Sequence, residues 1–308
     1  MRRLFPLLFL QALLYPSFVS GQQIEPIIDS LLETKKQVTK SELNELETQL
    51  KNLDNGELDI KLDVIAALHF SKLGSYDEAK QKIVDAKKEL SKCDKGEELT
   101  SLVYFADAFN YSLIGAKPTV DSIANIGIQN HLKNGGSAST YIRLLLVRSN
   151  ANIDEQLRLD YAKKALDLCR TQKITHFEQK ALMAVAYCYA QQADYPKASE
   201  YYQKALPLVK SRNSNLDLSI IYNNLAFCST DSNETLAYLD SAYICSQKGN
   251  DLEGVQYATE NKSYYLFDIG SYRRAYTELT KAMELKDSLF SIKKIEAVSD
   301  IEEKYQNE

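Results

Sequence analysis

The chain reads as an all-α helical solenoid, a stack of paired helices, and three observations predict it. An alanine recurs at Ala86, Ala124, Ala165, Ala205, Ala242 and Ala282, with 37 to 41 residues between successive copies. A fixed period of that length marks a solenoid whose repeats bury their faces against one another. A turn feeding a helix also returns three times, as GSYDEAKQKIVDA at Gly74–Ala86, DYPKASEYYQKALP at Asp194–Pro207 and GSYRRAYTELTKA at Gly270–Ala282. In the second copy Ala198 and Ala205 lie seven apart with Tyr202 between them, so the helix presents small residues where neighbours come close. Finally, period-two alternation is nowhere sustained, and only 11 Gly and 6 Pro interrupt 308 residues, as short helix-to-helix turns require.

Taken in order, the chain begins with Arg2 and Arg3 before an apolar run from Leu4 to Val19, broken by Pro6 and Pro16. The run is short for a bilayer span, and Val19, Ser20 and Gly21 offer small residues at a cleavage point. Residues 1–21 are therefore expected to be a signal peptide cleaved near Gly21, giving an exported, periplasmic bacterial protein. The alternative is an uncleaved anchor; contact with a membrane is expected only in that case or if the native chain continues. No cysteine follows the run to carry a lipid.

Next, Ile24, Ile27, Ile28, Leu31 and Leu32 form a helical stripe, and Thr39 with Glu42 spells a capping box for a helix bearing Leu43, Leu46, Leu50 and Leu53. That helix should stop at Asp54-Asn55-Gly56, and residues 22–56 should cap the first end of the stack. Six pairs follow. Their helices are expected at about Glu57–Leu73 with Ser75–Ser91, Glu97–Ile114 with Thr119–Leu132, and Ala138–Asn150 with Asp154–Thr171. Thr175–Gln192 with Pro196–Arg212, Leu216–Ser229 with Asn233–Lys248, and Leu252–Ile269 with a helix from Tyr272 complete them. Gly74, Gly115 with Pro118, and Pro196 supply the punctuation, Pro196 at a helix start where its missing N–H costs nothing. Asn134-Gly135-Gly136-Ser137 is the best candidate for a bend or subdomain boundary, the alternative being a loose loop.

The solenoid should span residues 57–285. Residues 286–308 extend its last helix, with apolar positions continuing at Leu285, Leu289, Ile292, Ile295, Val298, Ile301 and Tyr305. This extension either folds back as a cap or pairs with a second copy, giving a homodimer through residues 286–308.

These residues resemble the tetratricopeptide repeat (TPR) family in a long-repeat form, since its usual period is about 34 residues. The match is good at Ala186, Tyr189, Ala198, Tyr202 and Ala205, at Ala67, Phe70, Ala79, Ile83 and Ala86, and at Leu266, Ala275, Leu279 and Ala282. It is weaker near Ala124 and Ala165. The resemblance implies a right-handed superhelix whose first helices line a concave face. The stretch LKDSLFSIKKIEAVSDIEEKYQ also resembles the segment that ends the periplasmic TPR sensor part of membrane-anchored bacterial histidine kinases and helix-turn-helix regulators. Either the sequence is a sensor part without its output domain, or it is a stand-alone exported relative.

Composition limits the function further. At 44% hydrophobic and 26% charged, with a net charge of −5 that grows more negative once Arg2 and Arg3 leave, the chain has no basic cluster for nucleic acid. The five cysteines, Cys93, Cys169, Cys188, Cys228 and Cys245, form no CxxC. Export would permit a disulfide, with Cys188 and Cys228 the pair to test; otherwise they are small buried hydrophobes. His69, His131 and His176 lie in different repeats without metal-ligand spacing, and no phosphate loop, GxSxG or HExxH occurs. No catalytic residue, metal or cofactor is expected.

Aligning the repeats on their alanines places Arg143, Met183, Tyr187, Asn223, Asn224, Phe227, Tyr257, Asn261, Tyr264 and Phe267 on or near the concave face. Aromatic surface interleaved with amides suits an extended peptide, whose main chain needs hydrogen-bond partners; the alternative is that the aromatics pack between repeats. TPR proteins that hold chaperone C-termini use a Lys/Asn and Lys/Arg carboxylate clamp. Here only Asn224 stands at such a place, so chaperone tails are disfavoured. The expected function is a non-enzymatic, exported protein- or peptide-binding module, sensory or signalling in the cell envelope. The alternative is a periplasmic scaffold or assembly factor with no switching ligand.

Overall fold

The computed structural model describes residues 21–33, 38–51, 53, 55–152 and 154–306, with backbone alone for 21–23, 33 and 292–306. Residues 1–20 of the expected signal peptide 1–21, Asp54, and the side chains of Ile292, Ile295, Val298, Ile301 and Tyr305 lie outside what is described. Among the described residues there are helices and no strand, as the periodicity predicts. No helix among them is long and apolar enough to cross a membrane.

Helices α1 (Gly21–Glu33) and α2 (Lys40–Leu50) precede six pairs. These are α3 (Gly56–Lys72) with α4 (Tyr76–Leu90), α5 (Gly96–Leu113) with α6 (Lys117–Asn134), and α7 (Ala138–Ala151) with α8 (Glu155–Thr171). Then come α9 (Thr175–Gln191) with α10 (Tyr195–Ser211), α11 (Asn215–Cys228) with α12 (Ser232–Lys248), and α13 (Leu252–Asp268) with α14 (Tyr272–Gln306). The starts follow local chemistry. Thr39 and Glu42 form the reciprocal capping box, and Asn55, Ser137, Asp194, Ser214, Asp231 and Asp251 each accept a backbone N–H of the first turn.

The chain divides into two compact units, Met1–Leu168 and Cys169–Glu308. The division falls within α8, not at Asn134–Ser137. That Gly-Gly turn is tightly seated: a Cβ on Gly136 would stand 3.0 Å from the Glu98 carbonyl oxygen, and its φ of +125° excludes other residues.

In the first unit α3 packs on α4 and α5 on α6, while α3 also touches α5 and α5 touches α7. Gly127 in α6 allows a close approach, since a Cβ there would lie 2.9 Å from a Leu144 methyl and 3.0 Å from Tyr104 Cβ. Helix α8 meets α7 through Ser149 Oγ, which donates to the Arg158 carbonyl at 2.8 Å, and through Arg148 stacked 4.5 Å above the Tyr161 ring. Asp107, buried in α5, takes Lys80 at 3.0 Å and Lys87 at 2.5 Å from α4, and Ser71 of α3 donates to Asn110 of α5 at 2.8 Å. Buried polar groups so placed must be paired, which fixes the register of the helices.

The second unit repeats the scheme, with α9 on α10, α11 on α12 and α13 on α14, and with successive first helices α9, α11 and α13 in contact. Gln179 is its buried polar pin, donating to Asp217 at 2.6 Å and accepting from Arg212 at 3.1 Å. The recurring alanines Ala86, Ala124, Ala165, Ala205, Ala242 and Ala282 are all buried.

Three turns inside pairs have a left-handed glycine, Gly74 (φ 82°), Gly115 (φ 80°) and Gly270 (φ 76°), but the pair α9–α10 has Ala193 there at φ 58°. A β-carbon in that conformation costs about 1–2 kcal/mol. Ala193→Gly is therefore expected to raise stability by about 1 kcal/mol, once glycine's greater unfolded-state freedom is subtracted. A higher urea midpoint at unchanged slope would show it; a lower midpoint would contradict it.

A charged cleft of about 540 Å³ separates α2, α3 and α4, lined by Glu47, Asp59, Asp63, Lys82, Asp85, Lys88 and Glu89 among others. Lys82 bridges Glu47 at 2.6 Å and Asp63 at 3.1 Å. Burial outweighs this pairing for Asp63 and pushes its carboxyl from 3.8 up to about 6. An acid with a raised folded-state value stabilises most below its unfolded value, and that contribution is lost as pH climbs through the folded one. Asp63→Asn should accordingly gain stability relative to wild type as pH rises from 4 to 7, the gain appearing mostly below about 6. Thermal melts of both proteins across that range would reveal a widening difference, and parallel curves would refute it.

Candidate binding surface

In the second unit, the first helices α9, α11 and α13 carry several exposed rings. Phe227 is 66% exposed, Phe267 61%, Tyr257 56% and Tyr264 55%, with Tyr187, Leu216 and Ile220 also exposed. Large apolar side chains gathered on one surface of a folded protein commonly mark an interaction site. Their spacing explains their grouping. Tyr257, Tyr264 and Phe267 stand seven and then three residues apart on α13, one side of a helix, and Met183 and Tyr187 are four apart on α9.

Two rings absent from the sequence-based set hold this face in place. Tyr195, at the start of α10, meets Phe227 edge-on at 5.4 Å, and Tyr272, at the start of α14, meets Phe267 edge-on at 5.3 Å. Their signal in the sequence was the turn motif itself, where a tyrosine recurs at Tyr76, Tyr195 and Tyr272.

The amides behave differently from the rings. Asn223 is buried; it donates to the Ser219 carbonyl and accepts from Asn261 Nδ2, both at 3.3 Å. The two side chains thus tie α11 to α13. Half-buried Asn224 donates back to the Ile220 carbonyl at 2.9 Å, and Met183 is half-buried. Tyr264 donates its hydroxyl to Glu260 at 2.9 Å, and the carboxylate beside it holds the phenol above its ordinary value. Glu260 thus places an anion beside this ring.

Nine of the ten expected residues belong to the second unit. Arg143 belongs to the first, where its guanidinium lies 5.5 Å from the Phe105 ring centroid and donates to the Leu32 carbonyl at the end of α1.

The histidines sit beside rings, His131 stacked on Tyr141 at 4.5 Å, His69 against Phe70 and His176 against Phe177. Burial lowers the first two below the usual histidine range, where the neutral ring is favoured. Among the described residues no three His, Cys, Asp or Glu side chains gather as metal ligands. None of the five cysteines, Cys188 and Cys228 included, forms a disulfide, and burial pushes the Cys169 and Cys228 thiols up to about 11, which keeps them protonated and unreactive. The acids converging on Lys82 and Lys88 in the first unit were not legible in the sequence, because they come from three different helices.

No protein-family model matches the chain, and no curated protein matches it in sequence. Solved structures do. The apo form of RapI aligns with a TM-score of 0.64 at 11% identity, over 82% of this chain and 91% of RapI. NprR in complex with its cognate peptide NprX gives 0.65 at 14% identity, over 86% of this chain and 79% of NprR. PH0952 of Pyrococcus horikoshii, a signal-transduction ATPase with a tetratricopeptide repeat sensor, gives 0.58 at 17% identity, over 85% of this chain and 41% of that protein. At such identities the likeness is one of fold, and it establishes the chain as a TPR-like helical repeat protein.

Proposed function

We propose that this chain is a non-enzymatic binding module that captures a peptide or protein segment on the exposed aromatic face of α9, α11 and α13. The observation that carries the reading is the set of rings at Tyr187, Phe227, Tyr257, Tyr264 and Phe267, left in solvent on three consecutive first helices. Tyr and Phe offer large contact area with few rotatable bonds, so ordering them on binding costs little. The similarity in fold to NprR, solved with a peptide, supports the same reading. The occupant that fits is a segment rich in apolar side chains, with a basic group favoured near Glu260.

The test uses a displayed library of random decapeptides panned on the whole chain. A Phe227→Ala/Tyr257→Ala double variant should bind the selected peptides at least about 10-fold more weakly by calorimetry. Its thermal stability should be unchanged, since both rings are largely exposed. Failure to enrich any peptide, or equal affinity in the variant, would end this reading.

We further infer an exported, sensory or signalling role in the cell envelope, in which capture alters the long last helix. In support, α14 runs 35 residues and exposes Tyr276, Met283 and Phe290 at seven-residue spacing, a face suited to pairing. On this reading residues 22–308 are dimeric by light scattering and a version ending at Lys286 is monomeric; two stable monomers would remove the pairing helix from the account. The Asn223–Asn261 tie between α11 and α13 favours the second reading, a rigid periplasmic scaffold or assembly factor with no switching ligand.

A further inference from the structure

The corresponding face of the first unit is covered. Counting back from the turn residue of each pair, Val64 and Phe105 stand ten residues before Gly74 and Gly115, as Met183 does before Ala193. Leu68 and Phe109 stand six before, as Tyr187 and Tyr264 do before Ala193 and Gly270. In the second unit this face carries exposed rings, whereas in the first Val64 and Phe105 are buried and Leu68 and Phe109 half-buried.

Helix α1 is tied to this covered face at two points. Asp29 of α1 pairs with Lys61 of α3 at 2.8 Å, and the Leu32 carbonyl at the C-terminal end of α1 receives the guanidinium of Arg143 from α7, the residue that also lies over Phe105. A cation there complements the partial negative charge of a helix C-terminus. Ile24, Ile28, Leu31 and Leu32 of α1 are buried, while Glu25, Pro26 and Ser30 are exposed. The helix therefore lies across the first helices with one apolar stripe inward, in the manner of an amphipathic ligand in a groove.

The end of the stack is closed independently by α2, whose Leu43, Leu46 and Leu50 are buried and whose Glu47 pairs with Lys82 of α4. Lys61 keeps a second partner, Glu57 at 2.9 Å, when Asp29 leaves.

We propose that the inner face of the first unit is a binding site for an amphipathic helix, that α1 is its resident occupant, and that a partner protein's helix of the same chemistry displaces it. That helix carries apolar residues at i, i+4, i+7 and i+8, matching Ile24, Ile28, Leu31 and Leu32, and an acid at i+5 to meet Lys61. This site is separate from the aromatic face of the second unit and stands or falls without it.

The experiment follows a fluorescent peptide of residues 21–33, GQQIEPIIDSLLE, by anisotropy. In the full chain, tethering holds α1 at an effective concentration on the order of millimolar, so the wild type should take up the peptide weakly. Ile28→Asp in the chain weakens the resident helix, and this variant should bind the peptide at least about 10-fold more tightly. Adding Lys61→Glu to that variant should reduce uptake, and a peptide with Asp29→Lys should restore it. Asp29→Ala in the chain is a milder release that should increase uptake in the same direction, because the peptide keeps its own Asp29 for Lys61. Folded variants that ignore the peptide, a wild type that binds it as well as they do, or loss of fold in both Ile28→Asp and Asp29→Ala would overturn the proposal. So would a wild-type dimer that Ile28→Asp converts to a monomer, which would give the groove to a second copy's α1.

Discussion

The contact on which the remaining structure depends is the nesting of each second helix against its neighbours at an alanine with essentially no exposed surface, repeated from Ala86 to Ala282. Close-packed interiors leave no room to vary such a position, so its side chain stays small. Repetition of one contact also distributes stability among nearest neighbours and leaves the opposite face of the first helices outside the core.

The two units use the freedom differently. In the second, the face is furnished with rings and left in water, braced by Tyr195 and Tyr272 from the second helices. In the first, equivalent positions lie under an amphipathic helix from the same chain, held by one carboxylate and one helix C-terminus. The chemistry of the faces differs accordingly, with Glu260 on the open one and the cations Lys61 and Arg143 on the covered one.

Buried polar contacts set the register that apolar packing alone would leave loose. Asp107 between two lysines, Gln179 between Asp217 and Arg212, and Ser219 with Ser246 at 2.5 Å each join different helices. A slip of one residue would strand a buried polar group, at a cost large beside the marginal stability of a domain. Asn223 belongs with these pins: an amide that looks like a ligand donor by position is already spent on Ser219 and Asn261.

Local and periodic features were legible from the amino acids. The alanine period, the Thr39–Glu42 capping box, the Asp194-Tyr195-Pro196 start and the glycines of the turns act within one helix or at fixed spacing, so a linear reading finds them. The placement of Tyr187, Phe227, Tyr257, Tyr264 and Phe267 on first helices was legible for the same reason. Their exposure was not, since a ring at that spacing fits a repeat interface equally well. Nor could spacing show the fate of Arg143, the conversion of Asn223 into an interhelical tie, or the gathering of Glu47, Asp63 and Asp85 around Lys82. Each depends on side chains from helices distant in sequence, and Arg143 meets a carbonyl 111 positions away. Sequence by itself determined which residues form helices and which face each presents, because those follow from backbone hydrogen bonding and a 3.6-residue turn. Only the tertiary structure decided which face is open and which is already occupied, because burial and charge pairing are properties of neighbours that the chain brings together by folding.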